Sequence, residues 1–192
     1  MAQSTGGPGK LALLSLVSTL MLALVGLGLA YVLRRDHVLA WFRFSPGDLA
    51  LAAAGSVLGF LLAGGLYLAW PALRSVTNRV AVGLVDDALD KGGWGLVALT
   101  VLASPVGEEI LFRGALQPTL GLWLTSALFG LAHGGWRRDS WPYAVAAGLL
   151  GVIVGDVFLQ TGSLTASSLT HVLYNAVLAL FMARRWWPFR EV

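Results

Sequence analysis

The feature that most constrains this chain is the run 11–33, which holds 23 residues without one charged side chain. A helix crossing the hydrocarbon core of a bilayer needs ~20 consecutive apolar residues, so this run is long enough to span. A cleaved secretion signal is the competing reading. Its apolar core would hold ~7–15 residues before a cleavage site. Here the run is longer and ends in Arg34-Arg35, which favours a retained helix.

The same pattern recurs along the chain. A second run covers 49–70, opened by Ser45-Pro46-Gly47-Asp48 and followed by Pro71. Residues 72–91 differ. They mix Arg74, Arg79, Asp86, Asp87, Asp90 and Lys91 with Val76, Val80, Leu84 and Leu89. That mixture reads as an amphipathic helix on the membrane surface, ended by Gly92-Gly93. A third span is expected over 94–117 with Pro118 at the turn. A fourth follows over 119–136, closed by Arg137-Arg138-Asp139. The fifth covers 141–160 and the sixth 164–183, joined by Thr161-Gly162-Ser163. The tail from Arg184 is basic and aromatic, which suits an interface anchor.

Composition agrees. The chain is 57% hydrophobic and 12% charged, against roughly 25% charged in soluble domains. The expected fold is therefore all-α: a polytopic transmembrane bundle of about six spans forming one membrane domain of 192 residues. Residues 1–93 supply two spans and the interfacial segment, 94–183 a four-helix core, and 184–192 the tail. Cysteine is absent, which rules out a disulfide, a thiolate metal site and a cysteine nucleophile. The net charge of +3 bears on orientation rather than on nucleic acid. With the N-terminus inside, nine Lys and Arg lie in inner segments and three in outer loops. That places both termini in the cytoplasm, with the chain in a bacterial inner membrane.

Function is sought in polar groups that should not be inside such helices. They are Glu108, Glu109, Arg113, His133, Asp156, His171 and Asn175. Each ionisable group costs ~2.5–3.5 kcal/mol or more at mid-bilayer, so it faces the bundle interior and by default marks a site. Depth tests whether they meet. At ~1.5 Å rise per residue, Glu108 lies about 15 Å below Pro118 and His133 about 21–22 Å below it. Counted from Leu164, His171 is about 10 Å deep and Asn175 about 16 Å. Three helices thus bring polar groups to one slab. Glu109 and Arg113 are i,i+4 and should pair. Glu108 points ~100° away, without that partner. Gly107, Gly114, Gly130, Gly134 and Gly135 flank the polar residues and permit close helix contact.

Peptide hydrolysis needs an activated water, a proton donor for the leaving amine and stabilisation of the oxyanion. A carboxylate buried without a counter-charge is a stronger base than one in water, which suits Glu108 as general base. His133 is placed to hold the same water or shuttle its proton. His171 and Asn175 offer donors for the oxyanion, and Glu109–Arg113 a brace behind them. Asp156 reads as a helix-end residue near the outer interface.

At these residues the sequence resembles the CAAX-protease and bacteriocin-processing (CPBP, or Abi) intramembrane proteases. Three motifs carry the resemblance, in order and each on its own expected helix. They are Glu108-Glu109-Ile110-Leu111-Phe112-Arg113, Phe129-Gly130-Leu131-Ala132-His133 and His171-Val172-Leu173-Tyr174-Asn175. The Thr161-Gly162-Ser163-Leu164 turn resembles the family as well. The resemblance covers about residues 94–183. It implies an intramembrane endopeptidase of the glutamic type, with Glu108 as base, His133 its partner, and His171 with Asn175 on the oxyanion side. The partner it implies is a polypeptide substrate, lipidated or carrying a transmembrane sorting segment, cut near its C-terminus or a leader region. No cofactor is expected in that reading. The alternative is zinc held by Glu108, His133 and His171 with one position open, although the HExxH spacing is missing. Two further rivals are a non-catalytic immunity or binding protein on the same scaffold and a proton-coupled transporter. Transporters usually show repeated halves, and none is visible here.

Overall fold

The structure is a computed structural model that describes residues 8–34, 41–135 and 137–186. The expected Arg35, Trp136 and most of the basic tail lie outside those residues. All regular structure among the described residues is helical. It comprises α1 (Pro8–Arg34), α2 (Pro46–Ala69), α3 (Pro71–Thr77), α4 (Gly83–Glu109), α5 (Gln117–Gly130), α6 (Trp141–Thr161) and α7 (Leu164–Ala183). Wider π turns over Asn78–Val82, Ile110–Leu116 and Leu131–Gly135 link or extend α3, α4 and α5.

Local chemistry sets the ends. Ser45 caps α2 with a reciprocal box: Asp48 N–H reaches Ser45 Oγ, and Ser45 N–H reaches Asp48 Oδ2 at 2.8 Å. Trp70 precedes a proline and is pushed into the extended region (φ −122°, ψ 95°), which separates α2 from α3. α6 ends at Gly162 in the left-handed conformation, and Ser163 then caps α7 through Ala166 N–H.

From Pro71 to Gly135 the hydrogen bonding is almost continuous, so five segments are long and apolar enough to cross a membrane. Two glycines resolve the long one. Gly93 (φ 62°, ψ −157°) and Gly121 (φ 77°, ψ 169°) break it into an amphipathic stretch and two spans. Both conformations are open to glycine and closed to residues with a Cβ. The bundle therefore has about six spans, and the chain is an integral membrane protein. The expected turn at Pro118 is corrected to Gly121. Pro118 follows the Ile110–Leu116 π turn at the start of α5, where a missing N–H costs little. With the turn at Gly121, Glu108 and His133 are 13 and 12 residues away on opposite limbs. At the helical rise that is ~20 and ~18 Å, a closer match in depth than Pro118 implied.

The helices pack as a bundle with α7 between α2 and α4, α6 against α2, α5 and α7, and α1 on the outside against α4. The core is layered. Trp41, Ile110, Phe158 and Leu164 fill one end. Tyr67, Val82, Val85, Leu96 and Met182 fill the other. Phe112, Phe129 and Ala147 lie between. Large apolar side chains of α1 and α2, such as Leu20, Leu24, Val57 and Leu61, face outward, as lipid contact requires. The amphipathic stretch turns its apolar side to the bundle, burying Leu73, Val76, Val82 and Val85. Arg79 meets Asp139 (3.7 Å) and Asp86 meets Arg185 (2.7 Å) at that end, while Arg43 reaches Thr161 O at the opposite end. The alternation of ends expected for successive spans is therefore present.

Gly130 lets α5 touch α6. A Cβ there would collide with the Ala144 carbonyl oxygen and lie 3.0 Å from Gly148 N. Both are backbone atoms and cannot rotate away. Gly130→Ala is therefore expected to destabilise the fold by about 1–3 kcal/mol, the usual range for overpacking. Gly28→Ala, where a Cβ meets nothing within 4 Å, is the control. Thermal melts of both in detergent decide it.

Candidate active site

Two adjacent glutamates end α4 and face different partners. Glu109 and Arg113, both fully buried, pair across one turn with Nε 3.4 Å from Oε2. The expected clasp is present, and the structure extends it. Arg113 Nη2 donates to Gly151 O on α6 (3.1 Å), and its guanidinium lies over the Phe129 ring of α5 at 4.9 Å. The other Glu109 oxygen, Oε1, is 3.0 Å from His171 Nδ1 on α7. A single ion pair thus ties α4, α5, α6 and α7 together.

Glu108 faces the other way, as the ~100° per residue rotation requires. Its Oε2 is 3.8 Å from His133 Nε2 and 4.0 Å from His171 Nε2. The three side chains expected to meet do meet. Its Oε1 is not free: the Ser104 hydroxyl, one turn earlier on α4, donates to it. Glu108 thus lacks the Arg113 counter-charge, as expected, and has a hydroxyl donor that the spacing argument did not foresee. The signal was legible as a serine at i−4, but helical serines usually bond backward to the backbone.

The tautomers follow from the acceptors. His133 Nδ1 is 2.8 Å from the Phe129 carbonyl, which can only accept, so Nδ1 carries the hydrogen. His171 Nδ1 faces the Glu109 carboxylate and is a donor for the same reason. In each neutral ring Nε2 is then a lone pair, and both lone pairs converge on Glu108 Oε2. That oxygen is buried and lacks a hydrogen-bond donor among the described residues. Local backbone helps present His133: it leaves helical geometry (φ −85°, ψ 30°), and Gly134 follows at φ 102°. The ring therefore stands at a helix end, tilted 38° against Phe129 with centroids 4.4 Å apart. Phe129 also meets His171 edge-on at 5.7 Å and Phe112 at 5.1 Å. This platform role was not legible in the sequence, because a phenylalanine in an apolar helix reads as core.

The site opens into a cavity of about 310 Å³ between α2, α6, α7 and the amphipathic stretch. Glu108, His133, His171 and Asn175 all line it. Side-chain exposure falls from 27% at His133 to 12% at Glu108 and 8% at His171. Asn175 lines the cavity with no hydrogen bond to Glu108 or the histidines among the described residues. Tyr143 and Tyr174 add two phenols to the lining. Asp156 stands apart: it is exposed, bonded to Gln160 near the end of α6, in keeping with a helix-end role.

Comparison with known proteins converges on the same segment. Residues 90–177 match the family model of Rce1-like, type II CAAX prenyl endopeptidases. The match spans a little under half of the chain and contains all three motifs, so the resemblance drawn from them is borne out. The Bacillus subtilis (strain 168) protein "Uncharacterized protein YpbD" is 31% identical over 84 residues, covering 44% of this chain and 43% of that protein. The chain thus spans less than half the length of this relative. No solved structure matches.

Removing one partner of a buried ion pair leaves the other charge uncompensated, at a typical cost of 3–5 kcal/mol. Glu109→Ala and Arg113→Ala are each expected to lose roughly that much stability and to lower activity as well. Melting in detergent at wild-type temperatures for both would refute the clasp.

Proposed function

We propose that this chain, whose residues 90–177 are similar to the Rce1-like type II CAAX prenyl endopeptidases, is an intramembrane endopeptidase that uses a glutamate-activated water. The observation that carries the reading is the convergence of Glu108 Oε2 with two imidazole Nε2 atoms at the wall of a mainly apolar cavity. All three are acceptors, and a water molecule has two hydrogens to give. Bound among them, such a water is polarised by Glu108 and aimed at a carbonyl lying in the cavity.

Charge balance assigns the protons. With both glutamates ionised, Arg113 supplies one compensating charge. Glu108 Oε2 takes a proton from the water as the hydroxide adds to the carbonyl and passes it to a histidine; the total stays at one negative charge, with the imidazolium set against the new oxyanion. His171 is suited to hold it, because Glu109 accepts from Nδ1 and stabilises the imidazolium, as the aspartate does in a Ser-His-Asp triad. The protonated ring then donates from Nε2 to the oxyanion or the leaving amine. Asn175 adds an amide donor on the same side. His133 holds the water and relays its proton.

Zinc is a second reading with an observation behind it. Each imidazole gives its Nδ1 hydrogen to an oxygen, the outer-shell arrangement common to metal-bound histidine. Glu108, His133 and His171 would hold the ion, which would supply a more acidic water. Against it, no three His or acidic side chains among the described residues have metal-holding spacing.

The cavity walls are mainly apolar, with Leu84, Val85, Leu150 and Met182 among them. They suit a polypeptide bearing a lipid or an apolar segment. The orientation that fits the arginine distribution puts the amphipathic stretch and both termini on the cytoplasmic side of a bacterial inner membrane.

Glu108→Gln and His133→Ala are each expected to reduce cleavage of a prenylated CAAX peptide by at least ~100-fold, with insertion and melting unchanged. Undiminished cleavage by purified Glu108→Gln would defeat the proposal. Profiles of membrane peptides from cells with wild-type or Glu108→Gln protein extend the test to other substrates. Activity that survives chelation, with no zinc by elemental analysis, separates the two mechanisms.

A further inference from the structure

We infer that Ser104 is a positioning residue that fixes the plane of the Glu108 carboxylate, so that one oxygen stays aimed at His133 and His171. The inference rests on the catalytic reading above, and nothing in the three sequence motifs assigns this serine a role.

The argument starts from how hydroxyls behave elsewhere in this bundle. Thr19, Ser56, Thr161 and Thr170 each donate to the carbonyl four residues back, at 2.9, 2.7, 2.7 and 2.9 Å. That is the ordinary habit of serine and threonine in helices. Ser104 departs from it. A backbone acceptor is at hand, because Pro105 lies inside α4 and brings no N–H to the Val101 carbonyl, which so lacks its usual helical donor. The hydroxyl bypasses that carbonyl and donates forward to Glu108 Oε1.

The geometry favours this contact. Helical side chains lean toward the N-terminus, so Glu108 reaches back over the turn that carries Ser104. Ser104 also lines the cavity, beside the glutamate it holds. With Oε1 tied to the hydroxyl, rotation of the carboxylate about its last bond is restrained. Oε2 is then the oxygen presented to His133 and His171. A half-turn of a carboxylate exchanges two equivalent oxygens and changes nothing, but any smaller rotation carries the acceptor away from the two imidazoles. In this chain a hydroxyl of the same helix holds the plane of the carboxylate. Without it the plane swings, and the acceptor spends part of its time misaligned.

The test compares Ser104→Ala, which removes the hydroxyl, with Ser104→Thr, which keeps it. With a fluorogenic prenylated CAAX peptide, Ser104→Ala is expected to lower kcat by about 10- to 100-fold, the scale of a small misplacement of a reacting group. KM should change less than about twofold, since the loss falls on the aim of the carboxylate rather than on binding of the peptide. Ser104→Thr should restore most of kcat, and all three proteins should melt together. A second readout needs no substrate. Dicyclohexylcarbodiimide partitions into membranes and modifies buried carboxyls. Its attachment to Glu108, followed by peptide mass spectrometry, should be faster in Ser104→Ala and near wild type in Ser104→Thr. Equal labelling and equal kcat in Ser104→Ala would overturn the inference. So would a fall in melting temperature that threonine does not rescue, which would mark Ser104 as merely structural. If the wild type cleaves no peptide while labelling still depends on the hydroxyl, the protease reading fails and the role of Ser104 stands.

Discussion

Glu109 and Arg113 are wholly buried in a bundle whose outer face is apolar, so neither charge can turn to water. The packing of the four helices that hold the candidate site follows from that constraint. An ion pair in low dielectric must have its remaining hydrogen-bonding capacity met, or desolvation exceeds the Coulombic gain. Here the guanidinium finds the Gly151 carbonyl and the Phe129 face, and the carboxylate finds His171. Those partners lie on α6, α5 and α7. Meeting the pair's requirements therefore sets the relative positions of four helices.

The neighbouring glutamate shows the opposite use of the same side chain. One residue earlier on the helix, Glu108 is turned into the cavity instead of the clasp. It has a single hydroxyl donor and two imidazoles just beyond hydrogen-bonding distance. A carboxylate paired with a guanidinium is an anchor, and on the reading proposed above one that faces a cavity without a counter-charge is the base. The two roles are separated by one step of helical rotation rather than by different chemistry. His171 faces both, with Nδ1 on Glu109 and Nε2 toward Glu108, so the stiffness of the clasp is passed to the candidate site.

Much of this was legible in residue order. Uninterrupted apolar runs require membrane spans, and i,i+4 spacing puts Glu109 beside Arg113 whatever the tertiary fold. Shared depth followed from helical rise alone, because a bilayer forces helices to start and stop at common levels. The weakest step was the turn between the third and fourth spans. Pro118 is the stronger breaker by sequence, but at the start of α5 its missing N–H is harmless, and the left-handed Gly121 makes the turn. The amphipathic character of 72–91 was also readable. That its apolar side would seal one end of the cavity was not, since a helix on lipid and a helix on protein have the same pattern.

What the sequence determined by itself is an all-helical membrane chain with acid, imidazole and amide groups at one level of the bilayer. Those properties depend on local periodicity and on the cost of burying charge, which act on each segment separately. The tertiary structure alone decided which nitrogen of each histidine faces Glu108, that Phe129 is the surface on which they rest, and that Ser104 spends its hydrogen on Oε1. Those are matters of side-chain rotamer and helix azimuth. They are settled only when neighbouring helices close in, because the acceptors that choose among them, the Phe129 carbonyl and the Glu109 carboxylate, are themselves placed by packing.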